Sequence, residues 1–206
     1  MNIAVLASGE GTTLQAVLDA CADGRLPARV AVVISNNGSA GALRRARSAG
    51  VPVRHLSGPT AGGATRLDQA LNETLREFGA DLVVLAGYMK RLGPVTLAGF
   101  AGRIINTHPA LLPQFGGQGM FGMHVHRAVL AAKEEISGAT VHWVDENYDT
   151  GAVIAQARVA VAPGDSAESL AARVQAAERE LLIEVLGAAA AGRLEPPRQT
   201  RASATS

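Results

Sequence analysis

The feature that most constrains this chain is a repeated pairing of a short, unbroken apolar run with a stretch of helical spacing. Ile3-Ala4-Val5-Leu6-Ala7, Val30 to Ile34 and Leu82-Val83-Val84-Leu85-Ala86 lack the alternation of a strand with one wet face. Such runs fit strands buried on both faces. Between them, Thr12 to Ala22 carries Leu14, Val17 and Leu18 on one side, Ala42 to Ala49 has helical spacing, and Leu67, Leu71, Leu75 and Phe78 form a stripe. Val51 to His55 reads as a short strand, Gly58 to Gly63 as a loop, and Arg103 to Thr107 as one more buried strand. This rhythm predicts an α/β fold with a doubly wound, mostly parallel, Rossmann-like sheet.

The pattern changes in the second half. Gly116 to Gly122 is glycine-dense and predicts a mobile loop, followed by a short helix from His124 to Ala132. Thr140 to Val144 and Val153 to Val161 read as strands flanking a turn at Asn147 to Gly151, an antiparallel C-terminal extension. Ser166 is a suitable N-cap, with Glu168 in the first turn, for a long helix reaching about Ala190. From Glu195 onward Pro, Arg, Ser and Thr dominate and no apolar residue repeats. The expected organisation is one domain over residues 1–194 and a disordered tail over 195–206.

Charge narrows the partners. With 19 Lys and Arg against 18 Asp and Glu, the formal charge is +1, so nothing electrostatic argues for nucleic acid or an anionic membrane. Cys21 is the lone cysteine, which excludes an internal disulfide and fits a reducing cytosol. The chain opens straight into a strand-like run and has no apolar stretch long enough to span a bilayer. The expectation is a cytoplasmic protein, monomer or homodimer, acting on small molecules.

Two segments carry chemistry. In Ile105-Asn106-Thr107-His108-Pro109-Ala110-Leu111-Leu112-Pro113, a β-branched run ends in an amide and an imidazole before two prolines. Asn106 offers a neutral N–H donor toward a developing oxyanion, and His108 exchanges a proton near neutral pH. A carboxylate folded against that ring would favour its charged form; Asp149, in Tyr148-Asp149-Thr150-Gly151, is a candidate. Those parts suit acyl or formyl transfer through a tetrahedral intermediate. The second segment, Ser8-Gly9-Glu10-Gly11-Thr12-Thr13-Leu14-Gln15, joins the first strand to the first helix. It has neither the lysine of a P-loop nor the third glycine of a dinucleotide fingerprint. It reads equally as a monophosphate site at a helix N-terminus or as a plain tight turn capped by Thr12 or Thr13.

The first string resembles the N-x-H-P-S-L-L-P signature of the 10-formyltetrahydrofolate-using formyltransferases and hydrolases, with Ala110 in place of the usual serine. Within that family, the Ser8 to Gln15 loop resembles the S-G-x-G-[ST]-N-L-Q phosphate loop of the phosphoribosylglycinamide formyltransferases, with Thr13 in place of asparagine. Ala86-Gly87-Tyr88-Met89-Lys90-Arg91-Leu92 is similar to their A-G-[FY]-M-[RK]-x-L, and Val144 to Gly151 follows V-x-x-x-x-D-x-G. The resemblance covers residues 1 to about 194. It implies transfer of the formyl group of 10-formyltetrahydrofolate, a co-substrate, to the amine of 5′-phosphoribosylglycinamide, with no metal.

The resemblance assigns roles by position. Asn106 and a protonated His108 stabilise the oxyanion, and Asp149 keeps the ring charged. Gly11, Thr12 and Thr13 hold the ribonucleotide phosphate, and Glu178 contacts the same substrate. Met89, Lys90, Arg91, Leu92, Asn106, Val144, Asp145 and Asp149 line the folate site, with Arg66 meeting the folate glutamate. His124 and His126 stand two apart with no third ligand at metal spacing, so no zinc site is expected. His142, on a strand, is placed to touch the site from behind. The alternative within the family is a formyltetrahydrofolate hydrolase. A hydrolase is expected to bring an N-terminal regulatory module and needs no phosphate loop, and a methionyl-tRNA formyltransferase is expected to bring a basic C-terminal domain.

Overall fold

The computed structural model describes residues 1–197. In chain order the elements are β1 (Asn2–Leu6), α1 (Thr12–Ala22), β2 (Arg29–Ser35), α2 (Gly41–Ser48), β3 (Val53–His55), α3 (Gly58–Ala61), α4 (Ala64–Glu77), β4 (Leu82–Leu85), α5 (Pro94–Gly99), β5 (Ile104–His108), α6 (Met123–Ala131), β6 (Ile136–Trp143), β7 (Val153–Ala160) and α7 (Ala167–Ala190). The strands form one sheet in the order β3-β2-β1-β4-β5-β6-β7. The pairs among β1 to β5 are parallel, and β6 and β7 add antiparallel. The expected doubly wound sheet with an antiparallel extension and a long final helix is what forms.

The unbroken apolar runs are explained by two cores. Along β1, Ile3 and Val5 face a cluster built with α1, α2, α6 and α7, through residues such as Leu14, Leu43, Val129 and Leu182. Ala4 and Leu6 face the other cluster, with Leu71, Leu75 and Phe100. All four of these β1 residues are fully buried, so neither side of the strand can be polar.

Several local expectations change. Gly58 to Gly63 is not simply a loop: Ser57 and Thr60 form a reciprocal capping box that starts the one-turn α3. The helix α5 begins with Pro94, at a first helical position where its missing N–H costs nothing. Its start is capped from another element, since the buried Asp68 carboxylate on α4 accepts from the N–H groups of Val95 and Thr96 at 2.8 and 2.9 Å. The strand β6 begins at Ile136, four residues before the expected Thr140. Ser166 caps α7 as expected, in a capping box with Ser169. The expected tail from 195 falls largely outside the described residues, with 198–206 beyond them.

The sheet order fixes where a ligand can sit. The chain leaves β1 outward to β2 and β3, then returns to lay β4 on β1's other side. At such a reversal the loops leaving the strand C-termini part and open a crevice. Here those loops are Ser8 to Gly11 and Ala86 to Leu92. They meet at Ser8, whose N–H donates to Gly87 O at 3.1 Å. The Ser8 hydroxyl accepts from Met89 N–H at 2.7 Å and donates to Asn36 Oδ1 at 2.5 Å.

Candidate active site

The strand β5 ends beside this crevice, and period-two geometry puts Asn106 and His108 on one face. The loop after β6 brings Asp149 to them, with a left-handed backbone at φ 56°. Asp149 Oδ2 lies 3.5 Å from His108 Nδ1, and Asn106 Nδ2 donates to Asp149 Oδ1 at 3.5 Å. The three residues proposed from sequence for the chemistry therefore converge, although 43 positions separate Asn106 from Asp149.

Each is held from behind. The His108 ring is 4% exposed, and its Nε2 donates to the Phe115 carbonyl at 2.7 Å. Gly117 N–H donates to Asp149 Oδ2 at 2.9 Å. His142 is directly opposite Asn106 in the β5–β6 register. Its Nδ1 faces the Trp143 carbonyl at 2.8 Å, which can only accept, so Nδ1 carries hydrogen. In the neutral ring Nε2 is then left to accept from Asn106 Nδ2, 3.1 Å away. His142 Nε2 is also 3.6 Å from Asp149 Oδ1. His142 is thus integral to the cluster, more than the peripheral contact expected from sequence. The antiparallel register that delivers it is a long-range property no local motif encodes.

Burial and neighbouring groups pull the His108 charge in opposite directions. Desolvation pushes its pKa below the ordinary 6.5, outweighing the upward pull of Asp149 and the Phe115 carbonyl. In the free protein the buried ring thus favours its neutral form, and the protonated His108 implied by the resemblance belongs to the reaction itself. Burial works against the Asp149 carboxylate too, but His142, His108 and the Gly117 N–H together hold its pKa below the ordinary value. The pair is a neutral base beside a fixed anion, poised to stabilise a proton that arrives on the ring.

A cleft beside Asn106 collects most of the residues assigned to folate. Lys90, Arg91, Leu92, Asn106, Val144, Asp145 and Asp149 all line it, with Tyr88, His142 and Tyr148 added. Arg91 spans it, donating to the Glu146 carbonyl and lying 5.9 Å from the Tyr148 ring centroid. Met89, next to Lys90 in the chain and 53% exposed, is not among the residues lining it. Arg66 does not line this cleft; it sits near the start of α4 beside Gly62. On the other side of Asp149 a cavity of about 370 Å³ is bounded by Leu112, Pro113, Gly116, Gly117, Tyr148 and Val153.

Of the residues that the resemblance assigns to the ribonucleotide, Gly11, Thr12 and Thr13 lie at the start of α1. Gly11 is the N-cap, with φ 73°, and no side chain caps the helix. Neither Thr12 nor Thr13 takes the capping role of the tight-turn reading, so the first-turn N–H groups face the crevice without a side-chain acceptor. Glu178, on α7, is 9% exposed. Its Oε1 accepts from Thr107 Oγ1 at 2.8 Å and Thr13 Oγ1 at 3.5 Å. Burial raises the Glu178 pKa against the effect of these two hydroxyls. Among the described residues no three His, Cys, Asp or Glu side chains are grouped to hold a metal, and no helix is long and apolar enough to cross a membrane.

Comparison with known proteins agrees with this geometry. The formyl transferase family model matches residues 1–186. The phosphoribosylglycinamide formyltransferase of Haemophilus influenzae is 40% identical over 94% of this chain and 89% of its own length. The chloroplastic phosphoribosylglycinamide formyltransferase of Arabidopsis thaliana is 40% identical over 91% of this chain, and the match spans 64% of the plant protein. The chain spans less than two thirds of the length of the plant relatives it matches. A crystal structure of glycinamide ribonucleotide transformylase 1 from Symbiobacterium toebii superposes with a TM-score of 0.89 at 43% identity, covering 96% of this chain and 91% of that one. With a family match along nearly its whole length and the family's motif residues gathered in one crevice, this chain belongs to the formyl transferase family.

Proposed function

We propose that this protein transfers the formyl group of 10-formyltetrahydrofolate to the glycyl amine of 5′-phosphoribosylglycinamide, a step of de novo purine synthesis. The observation that carries the reading is the convergence of Asn106, His108 and Asp149 between an uncapped, glycine-led helix start and the Tyr88 to Leu92 loop. The ribonucleotide phosphate lies at the start of α1, against Gly11, Thr12 and Thr13, where backbone N–H groups and the helix dipole favour an anion. The folate enters the cleft lined by Lys90, Arg91, Leu92, Val144 and Asp145.

The chemistry follows from the resting charges. The amine attacks the formyl carbon, and the carbonyl electrons move onto oxygen. Asn106 Nδ2 is the neutral donor for that oxyanion, a contact typically worth about a hundred- to a thousandfold in rate. The attacking nitrogen becomes acidic, and neutral His108 takes its proton on Nε2 once the ring hydrogen has passed to Nδ1, against Asp149, and Nε2 has left the Phe115 carbonyl. Asp149 then faces an imidazolium, whose charge it stabilises. The carbon–N10 bond breaks as the oxyanion re-forms the carbonyl, the proton held by the His108 imidazolium passes to N10 of the folate, and the products are the formylated ribonucleotide, tetrahydrofolate and a neutral His108. No metal takes part in these steps. Small-molecule substrates are the only partners the reading needs, and a monomer or a homodimer serves it equally.

The test is formyl transfer from 10-formyltetrahydrofolate measured with and without the glycinamide ribonucleotide. Tetrahydrofolate release that depends on the ribonucleotide supports the reading. Equal release without it replaces the transferase by a formyltetrahydrofolate hydrolase.

A further inference from the structure

The free position of the N-x-H motif is filled here by Thr107, and its side chain lies on the opposite face of β5 from Asn106 and His108. That face packs toward α7. There the Thr107 hydroxyl, 8% exposed as a residue, donates to Glu178 Oε1 at 2.8 Å. Thr13, in the first turn of α1, reaches the same oxygen at 3.5 Å. Both hydroxyls are spent on Oε1; among the described residues, neither engages Oε2. One buried carboxylate is therefore tied to the phosphate-side helix, to the strand carrying Asn106 and His108, and to α7.

We propose that Thr107 is a positioning residue for the ribonucleotide: its hydroxyl fixes Glu178 by Oε1 and leaves Oε2 as the acceptor for that substrate. This rests on the activity proposed above. A glutamate has three rotatable side-chain bonds, and ordering it costs about 1.5–2 kcal/mol. A hydroxyl that holds one oxygen before the ligand arrives removes that cost from binding. A buried carboxylate also needs hydrogen bonds to remain an acceptor rather than a neutral acid. The placement has a geometric consequence. Thr107 lies between Asn106 and His108 in sequence, so one strand sets the register of the ribonucleotide against the reacting centre.

The experiment compares Thr107→Val, nearly isosteric but without a donor, with Thr107→Ser, which keeps the hydroxyl. The expected result for Thr107→Val is a rise of about tenfold in KM for glycinamide ribonucleotide, the size of one lost hydrogen bond to a charged group. Its kcat and its KM for 10-formyltetrahydrofolate stay within about twofold of wild type, and Thr107→Ser restores the ribonucleotide KM. A calorimetric Kd for the ribonucleotide alone should shift in parallel. If Thr107→Val does not fold, Thr107→Cys, of similar volume and with a weak donor, must give the same split. An unchanged ribonucleotide KM, an equal rise for both substrates, or no rescue by serine overturns the proposal. The wild-type control separates the two failures: ribonucleotide binding without formyl transfer overturns the activity, and the Kd comparison still decides the role of Thr107.

Discussion

Asp149 Oδ2 lies 3.5 Å from His108 Nδ1, while the other nitrogen of the ring donates to the Phe115 carbonyl at 2.7 Å. The imidazole thus stands between two acceptors in a nearly dry site. Burial disfavours the ring's charge, while Asp149 and the Phe115 carbonyl favour it. A ring of that kind serves as a base whose conjugate acid is welcome once formed.

His108→Ala should reduce turnover by about a hundred- to ten-thousandfold, the usual contribution of a positioned proton-transfer group. Ribonucleotide binding should survive, because α1 and Glu178 lie on the other side of β5. Near wild-type turnover in the folded variant would remove His108 from the chemistry.

The pH dependence has a definite sign. Burial depresses the His108 pKa below 6.5. A base with a depressed folded-state pKa is neutral at pH 7 and becomes inactive only as pH falls through that lower value. The acid limb of kcat/KM attributable to this ring in the free protein should therefore lie below pH 6.5. The unfolded chain also takes up this proton before the folded one, so stability falls as pH drops below about 6.5. An NMR titration of His108 midway above 6.5 would reverse both statements.

Asp149→Asn removes the upward electrostatic pull on that ring. The His108 pKa should fall further, and kcat should drop because the proton arriving on the ring meets no anion. The amide can still accept from Gly117 N–H, so folate affinity should change little. An unchanged His108 titration would mean that Asp149 acts elsewhere.

The phosphate site needs a variant that spares the fold. Gly11→Val does not: a Cβ on Gly11 would lie 2.6 Å from Ala42 Cα, on a backbone with φ 73°. That substitution should damage both substrate sites through α1 and α2 packing. Thr12→Glu is cleaner. Thr12 is exposed at the first position of α1, where a carboxylate stabilises the helix by about 0.3–1 kcal/mol yet repels a phosphate. The expected outcome is an unchanged or raised Tm with a KM for the ribonucleotide at least tenfold higher. A ribonucleotide KM that stays at wild type would take the phosphate away from this helix.

Legibility in the sequence followed the range of the interactions. β1, β2, β4 and the capped α7 were readable because a continuous apolar run or a Ser166 cap acts within a few residues. The α5 start was not, since its cap is Asp68, some 27 positions away. In the site, Asn106, His108 and Asp149 stood out by type and motif. His142 reaches Asn106 only through antiparallel register, and Thr107 meets Glu178 across 71 positions. The balance of effects on the His108 charge is not local either. A carboxylate partner can be guessed from a motif, but the degree of desolvation is a property of the whole packed site.

The glycine-dense segment from Gly116 to Gly122 carries the last expectation. Gly117, Gly119 and Gly122 adopt φ of 92°, 88° and 52°, which side chains rarely take. The segment also touches the chemistry: Phe115 O occupies His108 Nε2, and Gly117 N–H holds Asp149. Substrate must displace the Phe115 carbonyl before His108 Nε2 can work on it. These contacts fit a lid that closes over bound substrates and excludes water, which would otherwise consume the formyl donor. Because Gly117 itself bonds Asp149, the informative cut removes Gln118, Gly119 and Met120 and leaves Gly117 in place. A lid predicts slower transfer and a higher ratio of formyl donor hydrolysed to formyl transferred, with ribonucleotide KM nearly unchanged. Wild-type values for both rates would show that the segment only connects β5 to α6.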